Sequence, residues 1–191
     1  MKTVTYTIQG TAPMLMHGER LANPFDDITK AIKAISGKRK KTEDDLLEMA
    51  QLEWRGGLYY NKEDGVHVPG YNMLACIING GKLHKLGTAI KRAAIIQEDA
   101  IGVQYDGPKD PEKMFADKRF VDMRIVKIGT SKIMRCRPSF PLGWKCTFSL
   151  IFDENSLQRG DIDRCIESAG LMVGLGDYRP RFGRFKVVKS S

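Results

Sequence analysis

The sequence lacks the features that would tie it to a membrane, a metal or an oxidising compartment. No run of apolar residues approaches the roughly 18 that a transmembrane helix needs. The opening MKTVTYTIQG alternates polar and apolar residues, whereas a signal peptide needs an unbroken apolar core. Four cysteines without CxxC spacing and three isolated histidines predict neither a zinc site nor a disulfide framework. We therefore expect a cytoplasmic protein with reduced, mostly buried thiols, no metal, no cofactor and no membrane partner.

The motifs of the common enzyme classes are also missing. Nothing in the chain resembles a serine or cysteine triad, a P-loop or a dinucleotide fingerprint. The step Gly174-Leu175-Gly176 follows a predicted helix, whereas a dinucleotide fingerprint must follow a strand.

Positive charge is what the chain has in excess. Lys and Arg number 31 against 23 Asp and Glu, which gives a formal net charge of +8. Because phosphate neutralisation supplies most non-specific affinity for nucleic acid, this excess favours a polyanionic partner.

Hydrophobic periodicity predicts alternating strands and helices. The predicted order is strand 2–9, helix 28–35, helix 42–54, a hairpin over 58–70, helix 71–84, a helical stretch 88–100, a loop 106–118, a hairpin 120–138, strand 144–152, helix 161–173 and a last strand at 185–188. Helix 161–173 is expected to bury an apolar stripe that runs to Met172 or Val173. This order favours an α+β fold, a ferredoxin-like (RRM-like) antiparallel sheet with two packing helices. We expect one domain over 1–191 with an inserted hairpin at 103–140.

A loop rich in glycine and arginine lies between the last predicted helix and the last strand. Glycine backbones can approach a phosphodiester closely, arginines supply bidentate donors, and aromatic rings can stack on bases. A tight turn with solvated arginines is the structural alternative. The predicted nucleic-acid contacts in this loop are Gly174, Gly176, Tyr178, Arg179, Arg181, Phe182, Gly183 and Arg184.

Two further basic segments are candidate contacts. Lys132, Arg135 and Arg137 lie on the second strand of the predicted hairpin, where charges can equally protect an edge strand. The run Lys38, Arg39, Lys40 and Lys41 is expected to form a mobile loop that touches phosphate.

The segment VGLGDYRPRFGRFKV, placed after a helix and before a strand, resembles the glycine-rich loop of the RAMP superfamily. VPGYNMLACIINGGK at 68–82 is similar to that family's Pro-Gly turn into a helix, and APMLMHGE and RCRPSFPLGWKCTFSLIF also resemble its segments. The superfamily supplies RNA-binding subunits of CRISPR effector complexes. The resemblance implies a helix start next to the bound strand, at Gly70, Tyr71 and Asn72, and an inserted region that acts as a thumb.

The function expected from these features is binding of single-stranded RNA or DNA through its phosphates, with RNA favoured. The resemblance implies a homo-oligomer, or a repeated subunit along the strand. One alternative is an endoribonuclease of the same fold using Asp26 or Asp27 and His17, although capping of the following helix is the preferred interpretation of the aspartates. Another is a protein-binding mimic that blocks a nucleoprotein complex.

Overall fold

The structure is a computed structural model that describes the backbone of residues 1–191 and every side chain except that of Ile128. It has an α+β fold, with six α-helices and mostly antiparallel sheets in the part of the chain described. The helices are α1 (Asp27–Ser36), α2 (Glu43–Gly57), α3 (Gly70–Lys82), α4 (Gly87–Ala93), α5 (Pro111–Ala116) and α6 (Arg159–Ser168). The strands are β1 (Lys2–Gly10), β2 (Met14–Leu15), β3 (Tyr60–Asn61), β4 (Gly65–Pro69), β5 (Ala94–Ile96), β6 (Ala100–Gln104), β7 (Val121–Ile128), β8 (Ser131–Phe140), β9 (Lys145–Phe152) and β10 (Phe185–Ser190).

The chain divides into two compact units, each made of separate segments. The first unit comprises Met1–Met14, Tyr60–Asp106 and Pro141–Ser191, and its sheet has the strand order β10-β1-β9-β6-β4-β3, with β5 also paired to β9. The second unit comprises Leu15–Tyr59 and Gly107–Phe140. It contains the β7–β8 hairpin and α1, α2 and α5. The segment 103–140, which we predicted as an insertion, thus overlaps a unit that also includes 15–59.

The core of the first unit follows the predicted alternation of strand residues. On β9, Cys146, Phe148, Leu150 and Phe152 are all buried, as the pattern predicted. Strand β1 pairs antiparallel with β9, which places Tyr6 opposite Phe148 with ring centroids 5.7 Å apart. The buried Tyr6 hydroxyl donates a 2.6 Å hydrogen bond to Asp163 on α6. Burial and this carboxylate raise the pKa of Tyr6, so the phenol stays a donor.

The helix predicted over 88–100 is wrong beyond Ala93. Residues Ala94–Ile96 form β5, which pairs with β9 in the register Ala94 to Phe152. The Glu98 carboxylate then accepts the backbone N–H of Ser149, and β6 begins at Ala100. The unpaired edge of β9 captures this segment, which is a tertiary interaction that helical periodicity does not report.

Two smaller predictions are corrected or narrowed by the structure. The loop predicted over 106–118 contains helix α5, which begins with Pro111 at its first position and buries Met114. Of the two residues predicted as the end of the apolar stripe, Met172 is 54% exposed and Val173 is half-buried. The chain winds into a π-helical turn at Ala169–Val173, and the wider turn takes Met172 off the buried face.

A half-buried carboxylate anchors the hairpin of the second unit. Glu53 on α2 accepts hydrogen bonds from the Arg135 guanidinium at 2.5 Å and from the backbone N–H of Cys136 at 2.9 Å.

Replacing Glu53 with alanine should lower the free energy of unfolding by about 1–3 kcal/mol, because two polar groups lose their acceptor. Urea denaturation measures the change. Glu48→Ala, which removes an exposed glutamate from the same helix, should leave the midpoint nearly unchanged, and equal effects would contradict the assignment.

Acid should destabilise the second unit through its helix caps. The side chain of Asp45 caps α2 in a capping box with Thr42 and pairs with Lys38, and Asp26 caps α1 and pairs with Arg20. Lys38 lowers the pKa of Asp45 and Arg20 lowers the pKa of Asp26. Each carboxylate therefore stabilises the fold at neutral pH, and that contribution is lost as the pH falls below the ordinary carboxyl value of 3.8.

The measurement is thermal unfolding between pH 7 and pH 2. We expect the melting temperature of the wild type to decrease once the pH is below about 4. The decrease should be smaller in the Asp26→Asn, Asp45→Asn variant. Identical pH profiles for the two proteins would contradict the assignment.

The four cysteines are buried, as predicted. Within the described residues, no helix has both the length and the apolar character needed to cross a membrane.

Candidate nucleic-acid interface

The segment 174–184, which we call the glycine-rich loop, lies in the first unit and is fixed by backbone hydrogen bonds. The N–H of Gly174 donates to the carbonyl of Ala169, and the N–H of Leu175 donates to the carbonyl of Gly183, both at 2.8 Å. The N–H of Gly183 donates at 2.8 Å to the carbonyl of Pro13, just after β1. The loop is thus tied to the preceding helix, to itself and to the end of the first strand.

The loop's own geometry requires its three glycines. Gly174, Gly176 and Gly183 have φ of 81°, 85° and 74°, in the left-handed region that side chains disfavour. A Cβ on Gly183 would lie 1.7 Å from the carbonyl oxygen of Leu175. These glycines therefore close the loop, and the loop in turn presents the arginines.

The three loop arginines fall into two groups. The Nε of Arg184 donates to the carbonyl of Pro180 at 2.9 Å, and its backbone carbonyl accepts the N–H of Thr11 at 2.7 Å, so this residue helps to hold the loop although its charge is not neutralised. Arg179 and Arg181 are exposed, and neither forms an ion pair with a carboxylate of the described residues. Arg179 and Arg181 are thus the two loop arginines most open to an anion.

An aromatic pair flanks Arg179 and Arg181 in the sequence. The rings of Tyr178 and Phe182 are 5.7 Å apart at 34°, and Tyr178 is 45% exposed. Tyr178 also lines a cleft of about 500 Å³, together with Asp177, Arg179 and Pro180 of the loop and Asn79 of α3. An exposed ring beside a cationic group is the arrangement that stacks on unpaired bases.

A thiol on α3 braces the buried side of the loop. Cys76 is fully buried and its Sγ donates to the carbonyl of Gly174 at 3.2 Å. Burial raises the pKa of the Cys76 thiol to about 12, although the charge of Arg179 opposes the rise. The group therefore stays protonated at neutral pH and serves as a donor.

The predicted helix start lies at the other end of α3. The N–H of Gly70 donates to the carbonyl of Asp99 at 2.9 Å, Tyr71 is 55% exposed and Asn72 is half-buried. Cys76, which reaches the loop, follows Gly70 by about 9 Å along the helix axis, at about 1.5 Å per residue. Helix α3 therefore joins the two sites predicted in this unit.

The two arginines of the predicted basic strand, β8 of the second unit, have structural roles. Arg135 pairs with Glu53, Arg137 is buried, and Lys132 is exposed opposite Lys127 near the hairpin tip. The sequence pattern placed both arginines on one face, but it carried no sign of Glu53 or of the burial.

The basic run at 38–41 contains two residues with partners in the fold and two that are exposed. Lys38 pairs with Asp45 at 2.6 Å and lies next to the start of α2, and Lys41 donates from Nζ to the carbonyl of Lys38 at 3.1 Å. Arg39 and Lys40 are exposed and form no ion pair with a described carboxylate.

The candidate catalytic aspartates have structural partners. Asp26 accepts the backbone N–H of Ile28 at 2.9 Å as the N-cap of α1, so the capping interpretation is confirmed. Asp27 pairs with Lys30 at the surface, and His17 is half-buried. Among the described residues, no three His, Cys, Asp or Glu side chains are grouped so that they could hold a metal ion.

Among the cleft residues that the sequence did not predict as contacts, Asn79 lies on α3, outside the loop. Asn79 follows Cys76 by three positions, so helical spacing puts both on the side of α3 that meets the loop. The spacing was readable in the sequence, but the contact between helix and loop was not. Neither models of known protein families nor curated protein sequences match this chain.

Proposed function

We propose that this protein binds single-stranded nucleic acid, RNA in preference to DNA, by holding its phosphates at the glycine-rich loop. The observation that carries the proposal is the pair Arg179 and Arg181, which are exposed and form no ion pair within the described part of the chain, on a loop that backbone hydrogen bonds hold in place. A guanidinium presents paired donors that match the oxygens of a phosphate.

The bracing of the loop supports binding because it reduces the entropy lost on association. The hydrogen bonds to Ala169, Pro13 and Thr11 order the backbone before any ligand arrives. Tyr178 adds a stacking surface that accepts any base, which suits binding without sequence preference.

We further propose that the first unit has a ferredoxin-like, RAMP-like core. Its strand order β10-β1-β9-β6, with α3 between β1 and β6 and α6 between β9 and β10, supports a β-α-β-β-α-β arrangement. The exposed Lys132, Arg39 and Lys40 of the second unit are additional cations that would support binding of repeated copies along one strand.

Fluorescence anisotropy with labelled 20-nucleotide RNA, the matching DNA and the matching duplex tests the proposal. We expect binding to both single strands, tighter to RNA, that weakens steeply with salt. A denaturing gel of the same samples should show intact RNA. An absence of binding at low salt would contradict the proposal and favour a purely protein-binding role, and cleavage that is lost in Asp26→Asn, Asp27→Asn would favour the endoribonuclease.

A further inference from the structure

A second cleft in the first unit lies between helices α3 and α4. It measures about 460 Å³ and adjoins the turn that joins the two helices. The polar side chains that line it are Asn79, Lys82, Lys85, Thr88 and Lys91. Three of these five side chains are cationic.

The charge of this cleft is not compensated locally. Residues 65–97 contain no Asp or Glu, although they include Lys82, Lys85, Lys91 and Arg92. All three lysines of the cleft are exposed, and none forms an ion pair with a described carboxylate. The hydrogen bond from Lys82 Nζ to Asn79 Oδ1, at 2.9 Å, is to a neutral group and leaves the charge in place.

The backbone at Lys85 is a second, independent sign of a site. Lys85 has φ of 62°, in the left-handed region, at the point where α3 ends and the N–H of Leu86 returns to the carbonyl of Gly81. Glycine or asparagine normally occupies such a helix-ending position, because a side chain there is strained. Lys85 thus combines a strained backbone with a cationic side chain that lines the cleft.

The lysine cleft and the cleft of the glycine-rich loop have one lining residue in common. Asn79 lines both, together with Arg179 and Asp177 in one cleft and with Lys82, Lys85 and Lys91 in the other. All of these residues belong to the first unit.

We propose that Lys82, Lys85 and Lys91 form a second phosphate site, which holds the phosphodiester backbone of the same single strand as it leaves the glycine-rich loop. This inference rests on the proposed function. It assigns the protein a continuous track of several nucleotides, and it makes the affinity depend on strand length.

The test compares wild type with Lys82→Ala, Lys85→Gly, Lys91→Ala, using labelled oligouridylates of 4 and 12 nucleotides. Glycine at position 85 relieves the left-handed strain, so we expect Lys85→Gly alone to melt at or above the wild-type temperature. The triple variant should bind the 12-mer at least about tenfold more weakly. Its slope of log affinity against log salt should be lower by about 2, because each of three lost phosphate contacts contributes about 0.7. Its affinity for the 4-mer should change much less, because the loop can hold a short strand.

A control variant with the same loss of charge is Lys2→Ala, Lys62→Ala, Lys189→Ala, which removes three exposed lysines of the same unit that line neither cleft. Equal affinities and salt slopes in the control and the cleft variant would overturn the lysine site and leave the loop assignment standing. If wild type binds neither oligonucleotide, the proposed function and this inference fall together. Loss of 12-mer binding in a folded Lys85→Gly single variant would support the site most directly.

Discussion

Replacing Arg179 and Arg181 with glutamine should lower the affinity for a single-stranded RNA 20-mer by about 100-fold. Each residue is exposed and forms no ion pair with any carboxylate that the structure describes, so the charge and donors of its guanidinium are available to a phosphate. A hydrogen bond to a charged group contributes about 1.5–3 kcal/mol, and about 1.4 kcal/mol corresponds to a factor of ten in affinity. The slope of log affinity against log salt should fall by about 1.4, since each phosphate contact adds about 0.7 for single strands.

A matched variant separates this effect from the general loss of charge. Lys2→Gln, Lys62→Gln also lowers the net charge by two, within the same unit and away from both clefts. We expect this control to lose less than about threefold in affinity, as surface charges remote from a site act only through a screened field. If the control variant bound the RNA as weakly as the arginine variant, the loop would not be the binding site.

Replacing Gly183 with alanine should have the largest effect on the stability of the first unit. The added Cβ would lie 1.7 Å from the carbonyl oxygen of Leu175, and the residue would be held at φ of 74°. The left-handed conformation alone costs about 1–2 kcal/mol, and relieving the overlap breaks the hydrogen bonds from Leu175 to Gly183 and from Gly183 to Pro13. We expect the free energy of unfolding to fall by about 3 kcal/mol, as measured by urea denaturation.

The same substitution at Gly160 provides the control. Gly160 lies in the first turn of α6, is exposed, and has no atom within 4 Å of an added Cβ. Alanine there should leave stability unchanged or raise it by about 0.5–1 kcal/mol. A Gly183→Ala protein as stable as Gly160→Ala would contradict the account of how the loop is closed.

The elements predicted well are those that short-range signals specify. Strand β9 follows from strict alternation of buried residues, and the start of α1 follows from an aspartate that caps the next helix. The segment after Ala93 was predicted wrongly because the edge of β9, whose paired residues lie 54–58 positions later in the chain, determines its structure. Local periodicity contains no information about such a partner.

In the candidate site, too, the local features were predictable from the sequence and the distant contacts were not. The glycines and arginines of the loop were readable as a local cluster, and the loop itself lies where the sequence placed it, after the last helix and before β10. The partners that decide which arginine is available were not readable. The Arg184 guanidinium donates to the carbonyl of Pro180, and the Arg135 guanidinium pairs with Glu53, which lies 82 residues earlier in the chain.

Ultraviolet crosslinking of the wild-type protein to oligouridylate, with the crosslinked peptide identified by mass spectrometry, tests the central claim most directly. If the strand crosses the glycine-rich loop, a base lies on the exposed face of Tyr178, so the crosslink should map to residues 174–184. It should disappear in Arg179→Gln, Arg181→Gln at moderate salt. Crosslinks that map only outside the first unit, or that persist in the arginine variant, would contradict the claim.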